Sequence, residues 1–156
     1  MIIKISKGTG NAATSLASFD EALHNAGISN LNLIYLSSVI PPKSILKFEK
    51  PHIKKSSHGD KAYVVMSQAS TNKKGSKAVA GIGWVQSKKD GRGLFVEITG
   101  DSKKQVKEEI TKTLTHMIKI RSKNYGEIKM EIEETLHKGK GFVCALVCAL
   151  YQIETW

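Results

Sequence analysis

Hydrophobic and polar residues alternate from the start of the chain: Ile3 and Ile5 against Lys4 and Ser6 predict a strand over residues 1–6. Lys7-Gly8-Thr9-Gly10-Asn11 then predicts a turn, or backbone left bare so that another element can approach it. A Gly-x-Gly after a strand also suits a phosphate cradle, but the third glycine and the acidic residue about 20 positions further on are missing. Over residues 18–27 the period changes. Phe19, Ala22, Leu23 and Ala26 recur at helical spacing, Ser18 and Glu21 have capping-box spacing, and Gly27 can close the helix in the left-handed conformation. Leu31, Leu33 and Tyr35 next alternate with Asn32 and Ile34, a strand that must stop at Pro41-Pro42 because proline offers no N–H to a ladder.

The rest of the chain repeats these two periods. Residues 43–60, rich in lysine and containing Pro51 and Gly59, predict an irregular connection. Strands are predicted over 61–67, 78–86 and 93–99, the last two joined by a hairpin turn at Asp90-Gly91. Ser102 and Gln105 form a second capping box, opening a longer helix with Val106, Ile110, Leu114, Met117 and Ile118 as its buried stripe. Arg121 and Lys123 suit its C-terminal dipole end, and His116, at the stripe's edge, takes a surface or packing role. Ile128, Met130 and Ile132 alternate with Lys129, Glu131 and Glu133 as a strand with one wet face. A charged turn over 134–141 leads into the apolar run 142–154, which predicts a central strand. Two helices and about seven strands define an α+β class.

Composition narrows the class of protein. A chain of 156 residues fits one domain and can bury about 68–70% of its unfolded surface. Nothing in it approaches the roughly 20 apolar residues of a membrane span, and the opening Met1-Ile2-Ile3-Lys4-Ile5 has no signal-peptide pattern. The expectation is a cytoplasmic protein. Cys144 and Cys148, on one face of a strand roughly 13 Å apart, cannot pair and lack metal-ligand spacing, so they read as small buried hydrophobes. The net charge of +10 gathers in Lys43, Lys47, Lys50, Lys54 and Lys55 and in two later turns. Such charge could draw nucleic acid, but no aromatic residues interleave with it, so solvated lysines are the preferred reading.

Ser37-Ser38 sits where the strand before Pro41 would more usually carry another apolar residue. Ser56-Ser57, with no strand before it and no proline pair after it, reads as plain loop. The stretch around the first pair, F-D-x-A-L-x-N-A-G-I-x-N-x-N-L-I-x-x-S-S-x-x-P-P from Phe19 to Pro42, resembles the pyruvoyl-dependent arginine decarboxylases. The likeness resumes at Gly93-Leu94-Phe95-Val96-Glu97 and, more loosely, in the small-residue C-terminal strand.

That resemblance implies a specific chemistry. The Ser37–Ser38 peptide bond is self-cleaved, giving a small chain 1–37 and a larger chain 38–156 in which Ser38 has become a covalent pyruvoyl group. L-arginine forms a Schiff base with it and leaves as agmatine and CO2, a step of polyamine synthesis or acid resistance. Pyridoxal phosphate could supply the same electron sink, but the chain has no convincing phosphate loop. By the same resemblance Asp20 meets the substrate guanidinium, Glu97 reprotonates the carbanion, and Asn32 lies near the active centre. The implied fold is a four-layer α-β-β-α sandwich with antiparallel or mixed sheets, assembled as a homotrimer or a dimer of trimers. From composition alone Asp20 would only complement a helix dipole, and Asn32 would be an edge-strand polar residue. Two alternatives stay open at this point: the same cofactor acting on another amino acid, and an unprocessed basic module that binds nucleic acid.

Overall fold

The computed structural model describes residues 1–121 and 124–156. In chain order the elements are β1 (Ile2–Ala12), α1 (Ser15–Ala26), β2 (Asn32–Tyr35), β3 (Val39–Ile40), β4 (Ile45–Phe48), β5 (Lys61–Thr71), β6 (Lys77–Gln86), β7 (Gly93–Gly100), α2 (Lys103–Arg121), β8 (Lys129–Leu136) and β9 (Phe142–Glu154). They build two sheets. One is mixed, with order β2-β5-β9-β1-β4, and the other antiparallel, with order β3-β7-β6-β8. The apolar run at the C-terminus is central to the first sheet because every β9 residue from Val143 to Leu150 is buried and needs cover on both faces.

Alternation along β9 sorts its side chains between two cores. Cys144, Leu146, Cys148 and Leu150 meet Ala22 and Ala26 of α1, with Phe19 and Leu23 flanking. Val147, Ala149 and Tyr151 point the other way and join Ile3, Ile5 and Val65 against Ile82, Trp84 and Phe95 of the second sheet. Val106, Ile110 and Leu114 of α2 cover that sheet's outer face over Val79, Val85, Leu94 and Val96. The result is a four-layer α-β-β-α sandwich. Each fully buried Val, Leu, Ile or Phe contributes about 1.5–3 kcal/mol, so the layered burial drives the fold. No helix among the described residues is long and apolar enough to cross a membrane.

Several elements differ from the sequence expectation. The predicted turn at residues 7–11 is instead the second half of β1, which continues to Ala12. Its two glycines serve the alternative purpose, close approach: a side chain at Gly8 would strike the Ala22 carbonyl, and one at Gly10 the Ser18 carbonyl. The first helix begins three residues earlier than its predicted cap, with Thr14 accepting from the Ala17 N–H at 3.2 Å. Ser18 is buried inside it and donates to the Ser15 carbonyl, while Glu21 accepts the Asn11 N–H at 2.8 Å and ties helix to strand. Residues 43–60 are not wholly irregular. Ile45–Phe48 forms the short edge strand β4, parallel to β1; with the strand before Pro41 divided into β2 and β3, the strands among the described residues number nine.

Asp20, expected to complement the dipole in the first turn, lies a turn further on because α1 starts at Ser15. β5 runs on to Thr71, β8 takes in residues 134–136 of the predicted turn, and the strand expected to reach Pro41 breaks after Tyr35. The C-terminal cap of α1, the N-terminal cap of α2 and several side-chain placements agree with expectation. Gly27 closes α1 at φ 79°. Gln105 N–H donates to Ser102 Oγ at 3.2 Å, and the Gln105 side chain accepts from the Asp101 N–H, capping α2. Both cysteines are free and buried, and His116 is exposed. Lys123 lies outside the described residues.

Candidate active site

Ser37-Ser38 is the chain's crossing from one sheet to the other. The Leu36 N–H donates to the Val64 carbonyl at 2.9 Å, extending the β2–β5 ladder of the five-stranded sheet by one bond. The Ser38 carbonyl accepts the Phe95 N–H at 2.8 Å, the first tie to the four-stranded sheet. Ser37, between those anchors, is exposed. The reversal needed at this crossing puts Ser38 at φ 60°, a left-handed conformation that non-glycine residues adopt at a cost of about 1–3 kcal/mol. Pro41 then ends β3 after two residues, Val39 paired with Leu94 and Ile40 with Gly93.

Glu97 reaches the same point from β7. It shares Phe95's face of that strand, two residues on, and therefore points into the layer between the sheets. There its carboxylate accepts a short hydrogen bond from Ser38 Oγ. The structure thus joins Ser38 and Glu97, two of the residues singled out in the sequence, although 59 positions separate them.

Tyr151 is a site neighbour that sequence reasoning did not identify. Its hydroxyl donates to the Val39 carbonyl at 3.0 Å, and its ring stands edge-on to Phe95 with centroids 6.2 Å apart. Burial raises the phenol's pKa above its ordinary value, and the Glu97 carboxylate nearby pushes it the same way. A signal was present: a buried aliphatic run that closes on tyrosine usually has a partner for the hydroxyl.

Asp20 and Asn32 are not brought to Ser38 of their own chain. Asp20 lies on the exposed side of α1, and α1 packs on the face of the five-stranded sheet opposite the Ser38–Glu97 layer. Asn32 is six residues upstream at the start of β2, where its side-chain amide donates to the Gly59 carbonyl and its N–H to the Asp60 carbonyl. The lysine-rich segment also contributes elsewhere. Lys50, Lys54 and Lys55, with His24 and His58, line a surface basin of about 360 Å³ beside Gly27.

A four-layer sandwich with a serine held at the sheet-to-sheet crossing and hydrogen-bonded to a half-buried carboxylate defines a recognisable class of fold and site. A model of the family described as "Pyruvoyl-dependent arginine decarboxylase" matches residues 2–155, and the chain belongs to that family. Pyruvoyl-dependent arginine decarboxylase of Methanococcoides burtonii is 38% identical over 77 residues, 49% of this chain and 43% of its own length. Pyruvoyl-dependent arginine decarboxylase 2 of Archaeoglobus fulgidus is 31% identical over 114 residues, 68% of this chain and 73% of its own. The counterpart from Methanopyrus kandleri is 60% identical over 37 residues, 24% of this chain and 25% of its own. The matched stretch therefore spans less than half of the first and last of these relatives. Membership implies a covalently bound pyruvoyl group.

Proposed function

We propose that this chain cleaves itself between Ser37 and Ser38 and then converts L-arginine to agmatine and CO2. The observation that carries the reading is Ser38 itself. It sits at φ 60° between two anchoring sheets, with its hydroxyl on Glu97. A pyruvoyl group needs a serine that can attack the peptide bond before it and afterwards lose its own β-oxygen. Ser38 fits that need.

Maturation follows from ordinary acyl chemistry. Ser38 Oγ adds to the Ser37 carbonyl carbon, the C–N bond breaks, and the acyl group passes from nitrogen to oxygen. Loss of the Ser38 α-proton expels the ester oxygen with its acyl group, freeing a carboxylate at Ser37 and leaving dehydroalanine at 38. That residue tautomerises and takes up water, ammonia departs, and a keto group remains. A serine hydroxyl is a weak nucleophile unaided, and both the strain at Ser38 and the carboxylate polarising its O–H favour attack.

When formed, the pyruvoyl carbonyl supplies the electron sink that decarboxylation requires. The chain's own residues do the rest. Glu97, in the layer between the sheets, delivers a proton to the substrate carbon after CO2 leaves. Phe95 N–H stays on the Ser38 carbonyl and stabilises negative charge drawn toward it. Asp20 binds the guanidinium as a bidentate partner, and Asn32 contacts the reacting group. Because both lie away from Ser38 of their own chain, they act on a neighbouring copy, in keeping with a homotrimer or a dimer of trimers. A cationic substrate meets a +10 protein, but that general field fades over about 8 Å at physiological salt, and a local carboxylate overcomes it.

The test is direct. Purified protein incubated with L-arginine, L-lysine and L-ornithine in turn should release CO2 from arginine alone, with agmatine as product. Asp20→Asn should lower kcat/KM for arginine about 100-fold, the scale of breaking one charge-paired contact. Full arginine turnover by Asp20→Asn would remove Asp20 from the site. Release of CO2 from another amino acid would move the substrate and leave the cofactor.

A further inference from the structure

Tyr151 has no part in the maturation steps above, yet the fold makes a local exception for it. Along the β5–β9 ladder the register shifts once, between Tyr63 and Val64: Gln152 lies opposite Tyr63 and Leu150 opposite Val64. Tyr151 is the residue left over, a β-bulge in the central strand. Bulges bend a strand and re-aim a side chain, and they cost the ladder a regular pair. Tyr151 here keeps the inter-sheet face it shares with Val147 and Ala149 but has no partner residue across on β5; its hydroxyl donates to the Val39 carbonyl at 3.0 Å while the ring keeps its edge contact with Phe95.

The recipient is significant. Beyond the Ser37–Ser38 bond the first carbonyl, that of Ser38, is held by the Phe95 N–H, and the second, that of Val39, by Tyr151. One tie comes from β7 and the other from β9, so the two sheets grip the segment jointly. A non-glycine residue stays in the left-handed region only where its surroundings over-determine it. Proline at 41 leaves β3 too short to do that alone. We infer that Tyr151 is the positioning residue of the Ser38 segment, its hydroxyl keeping Ser38 in the left-handed backbone for attack on the Ser37 carbonyl. Once cleavage makes residue 38 a chain end, the same bond seats that end against fraying.

The inference rests on the proposed self-cleavage, and the experiment separates the two. Freshly made full-length chains of the wild type, Tyr151→Phe and Val147→Ala are followed by intact mass for conversion into fragments 1–37 and 38–156. Hydroxylamine, which traps the ester as a hydroxamate on Ser37, is added in a parallel series. Thermal midpoints are recorded for all three. Tyr151→Phe keeps the ring packing and loses only the hydroxyl. It should cleave about fivefold more slowly, with the same drop in hydroxylamine-trapped product, the scale of one hydrogen bond. Val147→Ala hollows the same inter-sheet core on the same strand face. It should lower the midpoint more than Tyr151→Phe does and cleave at the wild-type rate. Cleavage rates that simply follow the midpoints, or a wild-type rate in Tyr151→Phe, would overturn the positioning role and leave self-cleavage standing. A wild-type chain that never cleaves would overturn both.

Discussion

The chain contains two Ser-Ser pairs, and only their surroundings set them apart. Ser56-Ser57 lies in a one-turn 3-10 helix, Lys55–Ser57, closed by the Ser57 N–H on the Lys54 carbonyl and the Asp60 N–H on the Ser57 carbonyl. Its turn bonds are local and its backbone is relaxed. Ser37-Ser38 is spanned instead by bonds to two different sheets, and Ser38 is at φ 60° with its hydroxyl on a half-buried carboxylate. The proposed reactivity would therefore not belong to the dipeptide. It would come from anchoring the chain on both sides of one peptide bond so that the residue between cannot relax.

The largest effect that would test this contrast is on cleavage. Ser38→Ala should abolish fragmentation, while Ser57→Ala should fragment at the wild-type rate; fragments from the first or an intact second chain would equate the pairs. Next comes the carboxylate that Ser38 has close at hand. Glu97→Gln preserves shape and removes the proposed proton donor, so arginine turnover by whatever processed protein it yields should fall by 100-fold or more. Undiminished turnover would reduce Glu97 to a packing role.

Strain provides a smaller, purely structural test. In uncleavable proteins, Ser38→Gly should be about 1 kcal/mol more stable than Ser38→Ala, because glycine takes a positive φ freely. At Ser57 the order should reverse, since glycine there only adds freedom to the unfolded chain. Equal stabilities at position 38 would mean that the left-handed backbone stores nothing.

The smallest effect concerns pH. Tyr151's phenol has its pKa raised above the ordinary 10.0, by burial first and then by Glu97. The folded state therefore keeps a proton that the unfolded state gives up, and the stability this provides is complete below pH 10. Above pH 10 it is lost at about 1 kcal/mol per pH unit, so denaturant midpoints should fall there in the wild type. Tyr151→Phe should show a shallower alkaline slope. Identical slopes would indicate that the phenol titrates as freely in the fold as outside it.

How legible this was in the sequence depended on the range of the interaction. Periodicity located both helices and the long buried strand, because Val106, Ile110 and Leu114, or the run from Val143 to Leu150, carry their signal in neighbouring positions. The Gly8-x-Gly10 stretch read as a turn because glycine's local freedom hid a tertiary purpose, letting α1 lie against β1. Strand β4 was missed because four residues including Lys47 are too few for a period, and its pairing with β1 comes from the rest of the sheet. At the site, the resemblance around Ser37-Ser38 singled out Ser38 and Glu97, but not the geometry that joins them. Tyr151 was passed over although its place at the end of a buried run was a signal, since the carbonyl that takes its hydroxyl lies 112 positions away. Asp20 and Asn32 were singled out by the same resemblance, and their distance from Ser38 within one chain could only be seen in the fold.

The proposed chemistry turns on the Ser37–Ser38 bond, and an intact-mass spectrum of the purified protein examines it. The prediction is two chains, 1–37 and 38–156, the larger lighter by one ammonia than a chain that begins with serine. A single chain of 156 residues, unchanged on long incubation, would contradict it.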